Sequence, residues 1–149
     1  SHHESIKLAK QRAYEAGVTD NLGFFEVTAK DYEERDFDLI CFMDCLHDMG
    51  DPVGAARKAR SSLSSDGSLL IVEPMAGDHV TENINPVSRL YYAASTAVCT
   101  PCSKSQEVGL ALGAQAGQEQ LTKVLEEAGF GTVRRVAETG FNIVLEARI

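Results

Sequence analysis

Several things are scarce in this chain, and each scarcity narrows its function. No apolar run approaches the roughly 18 residues that a membrane-spanning helix needs, and the opening residues do not read as a signal peptide. Basic charge is short as well: 14 Lys and Arg stand against 22 Asp and Glu, a net charge of -8. The basic residues are scattered among acids, so no stripe exists to neutralise phosphates, and nucleic acid is excluded as a partner. Four cysteines in 149 residues are too few for a disulfide scaffold, and a reducing, cytoplasmic location is expected. A dinucleotide-type glycine turn is also missing. The only regular glycine spacing is Gly109, Gly113 and Gly117, four apart in a stretch that reads as helical. It is not G-x-G-x-x-G and no strand leads into it, so these glycines are expected to let helices pack closely.

What is present describes an ordinary globular chain. Hydrophobic residues make up 44% and charged residues 24%, and the length suits one domain with a real core. Ser1-His2-His3 reads as the end of a purification tag, so its histidines are set aside as ligands. "SIKLAKQRAYEAG" predicts an amphipathic helix, capped by Ser5 and stopped at Gly17. "LGFFEVTA" and "DFDLICFMDC" predict strands, the second covered on both faces because it hardly alternates. "DPVGAARKARSSLSSDG" predicts a helix with Asp51 as cap, Pro52 in its first turn and Val53, Ala56 and Leu63 facing inward. "SLLIVEP" predicts a further strand, parallel to the preceding one across a right-handed crossover. Residues from about 77 to 116 predict an inserted helical cap. "QEQLTKVLEEAGF" then predicts a helix with Leu121, Val124, Leu125 and Ala128 on one face. "TVRRVAET" and "FNIVLEAR" predict an antiparallel hairpin turning at Gly140.

The run "DFDLICFMDCLHDMGDP…L…DGSLLIVEP", followed by "L…EEAGF" and "FNIVLEAR", resembles the later part of the class I S-adenosylmethionine-dependent methyltransferases. "DCLHDMGDP" with "YYAASTAVCTP" resembles a bacterial subgroup of that family. The resemblance implies an α/β fold: a Rossmann-like methyltransferase sheet with a C-terminal antiparallel hairpin, lacking the first two strands. Residues 1-149 are then a single partial domain, and the strand "LGFFEVTA" is left without its family neighbour. The glycine-rich turn and the ribose-binding acid of the family match nothing in this chain. The resemblance implies S-adenosyl-L-methionine as cofactor of the full-length protein and a small-molecule methyl acceptor, with a homodimer left open.

Site residues follow from the same likeness. In small-molecule O-methyltransferases an "LHD" after the fourth strand presents a histidine that deprotonates the acceptor hydroxyl, which implies His47 as general base. Imidazole suits that task because its pKa lies near neutrality. The alternative is that His47 packs at the rim without accepting a proton. Glu73 matches one of the glutamates that orient this histidine. The other falls near Gln115, a departure from the pattern. Met43 and Asp44 would border the cofactor, Ala29 and Lys30 would meet its adenine side, and Tyr91, Tyr92 and Gln115 would line the acceptor pocket. No metal is expected: "CTPC" with Cys41 and Cys45 makes an unconvincing zinc set, because Cys41 and Cys45 belong to a strand and its exit. A methyltransferase-like binding or regulatory module without chemistry is the competing reading of the whole chain.

Overall fold

The computed structural model describes residues 2–149, which fall into two compact units, one ending at Glu33 and the other running from Glu34 to Ile149. The first unit contains helix α1, His3–Glu15. Its stop is as expected: Gly17 takes φ +66° and its amide bonds to Tyr14 O, the left-handed exit that glycine adopts without cost. The start differs, since His2 rather than Ser5 occupies the cap position. No residue of α1 is buried.

"LGFFEVTA" is not a strand. Residues 22–28 are irregular, with Phe25 and Val27 exposed. Its apolar content permits an extended segment, but a strand also needs a ladder for its amides and carbonyls. Among the described residues no strand pairs with it.

The second unit carries a four-stranded sheet. Strands β1 (Phe37–Met43) and β2 (Leu63–Pro74) are parallel, and helix α2 (Pro52–Ser62) lies between them in sequence. Strands β3 (Thr132–Glu138) and β4 (Asn142–Arg148) form the antiparallel hairpin, and β4 pairs with β2, giving the order β1-β2-β4-β3. Leu69, Ile71 and Glu73 of β2 oppose Ala147, Leu145 and Ile143 of β4, so these six share one buried face. Helix α5, Gly117–Glu127, buries Leu121, Val124 and Leu125 as its periodicity predicts, and it packs against α2 and β3.

Two expectations about these elements need correction. Strand β1 is not covered on both faces: Phe42 is buried beside Ile71, whereas Leu39, Cys41 and Met43 are exposed. On α2, Ala56 is buried as expected with Ala55 and Ala59 in place of Val53, and Leu63, also buried, already belongs to β2. Asp51 does cap α2, its carboxylate accepting from Gly54 N at 2.8 Å.

Between the two halves of the sheet come helix α3 (Pro86–Ala94), a π-turn over Ser95–Cys99 and the short helix α4 (Thr100–Lys104). The helical reading fails after Lys104. Residues 105–116 form no helix, and Gly109, Gly113 and Gly117 all take positive φ. A spacing of four fits a helix face equally well, but these glycines serve left-handed turns.

Candidate active site

The chain leaves β1 through Asp44, which takes φ +53° while its amide still bonds to Val72 O at 2.7 Å. Aspartate tolerates this left-handed geometry better than most residues. The turn throws the next residues over the carboxyl end of the sheet, where Leu46–Asp48 wind into one tight helical turn. Leu46 is fully buried and anchors it, and His47 beside it is 5% exposed.

Glu73, near the end of β2 and 2% exposed, reaches this turn from below. Its Oε1 accepts from Leu46 N at 2.8 Å and Cys45 N at 3.3 Å, and its Oε2 meets His47 Nδ1 at 2.5 Å. A carboxylate this buried has to be paired and hydrogen-bonded. With Nδ1 as the donor, the neutral imidazole presents Nε2 as its acceptor. Burial lowers the pKa of His47, but the hydrogen bond and charge of Glu73, with Asp48 and Asp44, outweigh it and hold the group above 6.5.

The far side of the ring faces Asp48, whose Oδ1 stands 3.4 Å from Nε2. Cys99, at the end of the π-turn, is buried, and burial followed by the Asp48 carboxylate pushes its thiol up to about 11. The backbone of His47 is held too, since Gly113 N donates to His47 O at 3.2 Å. Gly113 has no substitute there: its φ is +76°, and a Cβ would sit 2.5 Å from Ser95 Oγ.

The other residues singled out from the sequence divide. Asp44 joins the pair, its carboxylate, an imidazole nitrogen of His47 and a carboxylate oxygen of Glu73 lying within 4.8 Å of one another. Met43 is 57% exposed at the end of β1. Tyr91 is turned to structural use, its hydroxyl donating to Phe141 O at 3.0 Å. Burial and then the charge of Asp44 raise its pKa. Tyr92 is exposed on α3, and its carbonyl accepts from Thr96 Oγ1 at 2.8 Å. Gln115 donates to Met75 O at 3.3 Å and Ala114 O at 2.9 Å, while its Oε1 is buried without a partner. Ala29 and Lys30 belong to the first unit, in a turn where Lys30 N donates to Thr28 Oγ1 at 3.2 Å and the Thr28 hydroxyl bonds to Asp31.

Sequence reasoning missed the juxtaposition of Cys99 with Asp48 and His47. The C-x-x-C spacing drew Cys99 toward Cys102, and no periodicity announces a π-turn. A cavity of about 470 Å³ opens beside the site's elements, lined by Met75, Gly77, Asp78, Asn83 and Arg135 among others, but His47 does not line it.

A family profile described as a methyltransferase domain matches residues 2–129. Among solved structures, the chain is similar to PigF with SAH, at a TM-score of 0.76 and 14% identity over 99% of this chain and 41% of that one. It is similar to the mitomycin 7-O-methyltransferase MmcR, at 0.73 and 16% over 100% and 40%. An O-methyltransferase family 2 protein from Planctomyces limnophilus in complex with apigenin matches at 0.73 and 19% over 99% and 42%. At these identities the likeness establishes the fold. The chain spans about 40% of the length of the solved structures it matches. No curated protein sequence matches it.

Proposed function

The chain belongs to the methyltransferase-domain family, and from that premise we propose that it carries the acceptor-activating site of an S-adenosylmethionine-dependent methyltransferase acting on a small-molecule hydroxyl. The observation that carries this reading is the buried His47 Nδ1–Glu73 contact of 2.5 Å at the carboxyl ends of β1 and β2. Open α/β sheets place ligands at that edge.

The residues present do not complete a site for the cofactor. The positions where glycine could let it approach are filled by protein: a Cβ on Gly113 would meet Ser95 Oγ at 2.5 Å, and one on Gly117 would meet Asp78 Oδ1 at 2.6 Å. Met43 and Asp44 offer one exposed rim, and Ala29 and Lys30 belong to the other compact unit. The family's cofactor supplies the methyl group, whereas the residues of this chain act on the proton.

Glu73 fixes the Nδ1–H tautomer, which leaves Nε2 to take the acceptor's O–H proton as the oxygen becomes the nucleophile. The imidazolium formed is then stabilised by Glu73 on one side and Asp48 on the other. Because these acids raise the pKa of His47, the base form accumulates only above the ordinary imidazole range, and turnover should climb with pH there and level off. Tyr91 and Tyr92 on α3, with Gln115, are the proposed acceptor-side wall, and the cytoplasm is the proposed location. No helix among the described residues is long and apolar enough to cross a membrane.

The test is methyl transfer by the protein in its longest natural form, with the flavone apigenin as first acceptor, because the Planctomyces limnophilus protein was solved with it. His47→Ala should lower turnover by about 10²–10⁴-fold, the usual contribution of a general base, with cofactor affinity nearly unchanged. Full turnover in His47→Ala would remove the residue from the proton path. A second reading, a binding module without chemistry, is favoured by one observation: His47 is 5% exposed and its Nε2 faces Asp48. Acceptor binding without any methylated product would select it.

A further inference from the structure

One polar atom beside His47 has no hydrogen-bond partner among the described residues. Asp48 Oδ1 is buried without one. Nε2 of His47, in a side chain 6% exposed, stands 3.4 Å from that oxygen. Cys99 Sγ completes the group, an imidazole nitrogen of His47, a carboxylate oxygen of Asp48 and the sulfur lying within 4.8 Å of one another. The thiol reaches this position because the chain after α3 loosens into the π-turn over Ser95–Cys99, a form that concentrates at functional sites.

An imidazole nitrogen, a carboxylate oxygen and a thiolate are the donor mix of a borderline-soft divalent cation. Tetrahedral arms of about 2.0–2.1 Å place a nitrogen and an oxygen ligand roughly 3.3–3.4 Å apart. Nε2 and Oδ1 already stand at that separation. Behind the ring, Nδ1 meets Glu73 Oε2, the carboxylate support that metal-bound histidines carry. We infer that His47 Nε2, Asp48 Oδ1 and Cys99 Sγ form a three-ligand site for a cation of the Zn²⁺ class, its fourth position open to water.

Binding expels the Cys99 thiol proton, and the imidazole must be neutral at Nε2, so affinity rises with pH. The cation occupies the nitrogen that proton transfer requires, so it acts as an inhibitor of that chemistry. The site itself stands on geometry and not on the methyl-transfer reading. It is not the four-cysteine set weighed from the sequence: it reverses the expectation of no metal for Cys99 and leaves Cys102 out.

The experiment is a titration of the 149-residue chain with Co²⁺, free of thiol reductant, reading the thiolate-to-cobalt charge-transfer band. The band should saturate at one Co²⁺ per chain and vanish when Zn²⁺ is added. Cys99→Ser should abolish it, whereas Cys41→Ser and Cys102→Ser should keep it, and His2 and His3 cannot produce it. Glu73→Gln should weaken the affinity by about 10–100-fold, as loss of an orienting carboxylate does. Should Cys99→Ser not fold, X-ray absorption of the Zn²⁺-loaded wild type decides, with one sulfur neighbour expected. No thiolate band, a band that survives Cys99→Ser, or a metal shell with no sulfur or with several overturns the inference. No methyl donor or acceptor enters the measurement, so its outcome is separate from that of the transfer assay.

Discussion

Glu73 has to satisfy three donors with two oxygens, at a position 2% exposed. Removing its carboxylate strands the amides of Cys45 and Leu46 and leaves the His47 ring without its partner. Glu73→Ala should therefore cost on the order of 3–5 kcal/mol of stability in urea unfolding, the range for breaking a buried charged pair. Glu73→Gln keeps an acceptor and the volume, and should cost roughly 1–3 kcal/mol. Equal losses in the two variants would mean that only volume matters there. The same pair gives stability a pH dependence of definite sign. His47 has its pKa raised in the folded state, the Glu73 bond and the neighbouring acids outweighing burial. Such a group contributes stability that is fully present below its unfolded pKa and lost as pH rises through the folded value. The stability gap between wild type and His47→Gln should thus shrink as pH rises above the ordinary imidazole value of about 6.5. A gap that widened over that range would reverse the assignment.

Among the elements, the loop after α4 is the one whose sequence says least about its shape. Gly113→Ala there puts a methyl group 2.5 Å from Ser95 Oγ at a φ of +76°, and it should destabilise by about 1–3 kcal/mol, the cost of a strained backbone position. The same substitution in a Ser95→Gly background should lose less, since only the backbone strain remains; an identical loss would show that the contact is irrelevant. The pairing of His47 with Glu73 was legible through the family resemblance, which implies a glutamate orienting the histidine of "LHD", and parallel strands bring their two ends together. The face of α5 and the hairpin at Gly140 were legible from periodicity and turn chemistry. The loop was not, because glycines four apart fit a helix face and a set of left-handed turns equally. Residues 22–28 misled for another reason: apolar content states that a segment tolerates a strand, while the pairing that makes one lies elsewhere in the chain. Asp48 and Cys99 come together only through a π-turn, and no repeat in the letters encodes that.

At the scale of the molecule, the chain holds a sheet with one well-buried face and a histidine–carboxylate pair at its edge, while a complete cofactor cradle is absent among the described residues. It should accordingly bind S-adenosylmethionine very weakly, because a partial site meets most of the ordering cost of binding with few contacts to offset it. Titration calorimetry of the 149-residue chain checks this, and micromolar binding would mean that Met43, Asp44 and their neighbours suffice. Strand β1 carries a different consequence. Among the described residues it bonds to β2 on one side alone, and it leaves Leu39, Cys41 and Met43 exposed. The segment "FDLICFM" combines strong strand propensity with a single charge and no proline, the composition of sequences that stack into fibrils. Concentrated solutions should therefore turn cloudy and bind amyloid dyes on standing. A Leu39→Lys substitution, which sets a charge on that bare edge, should lengthen the lag before they do.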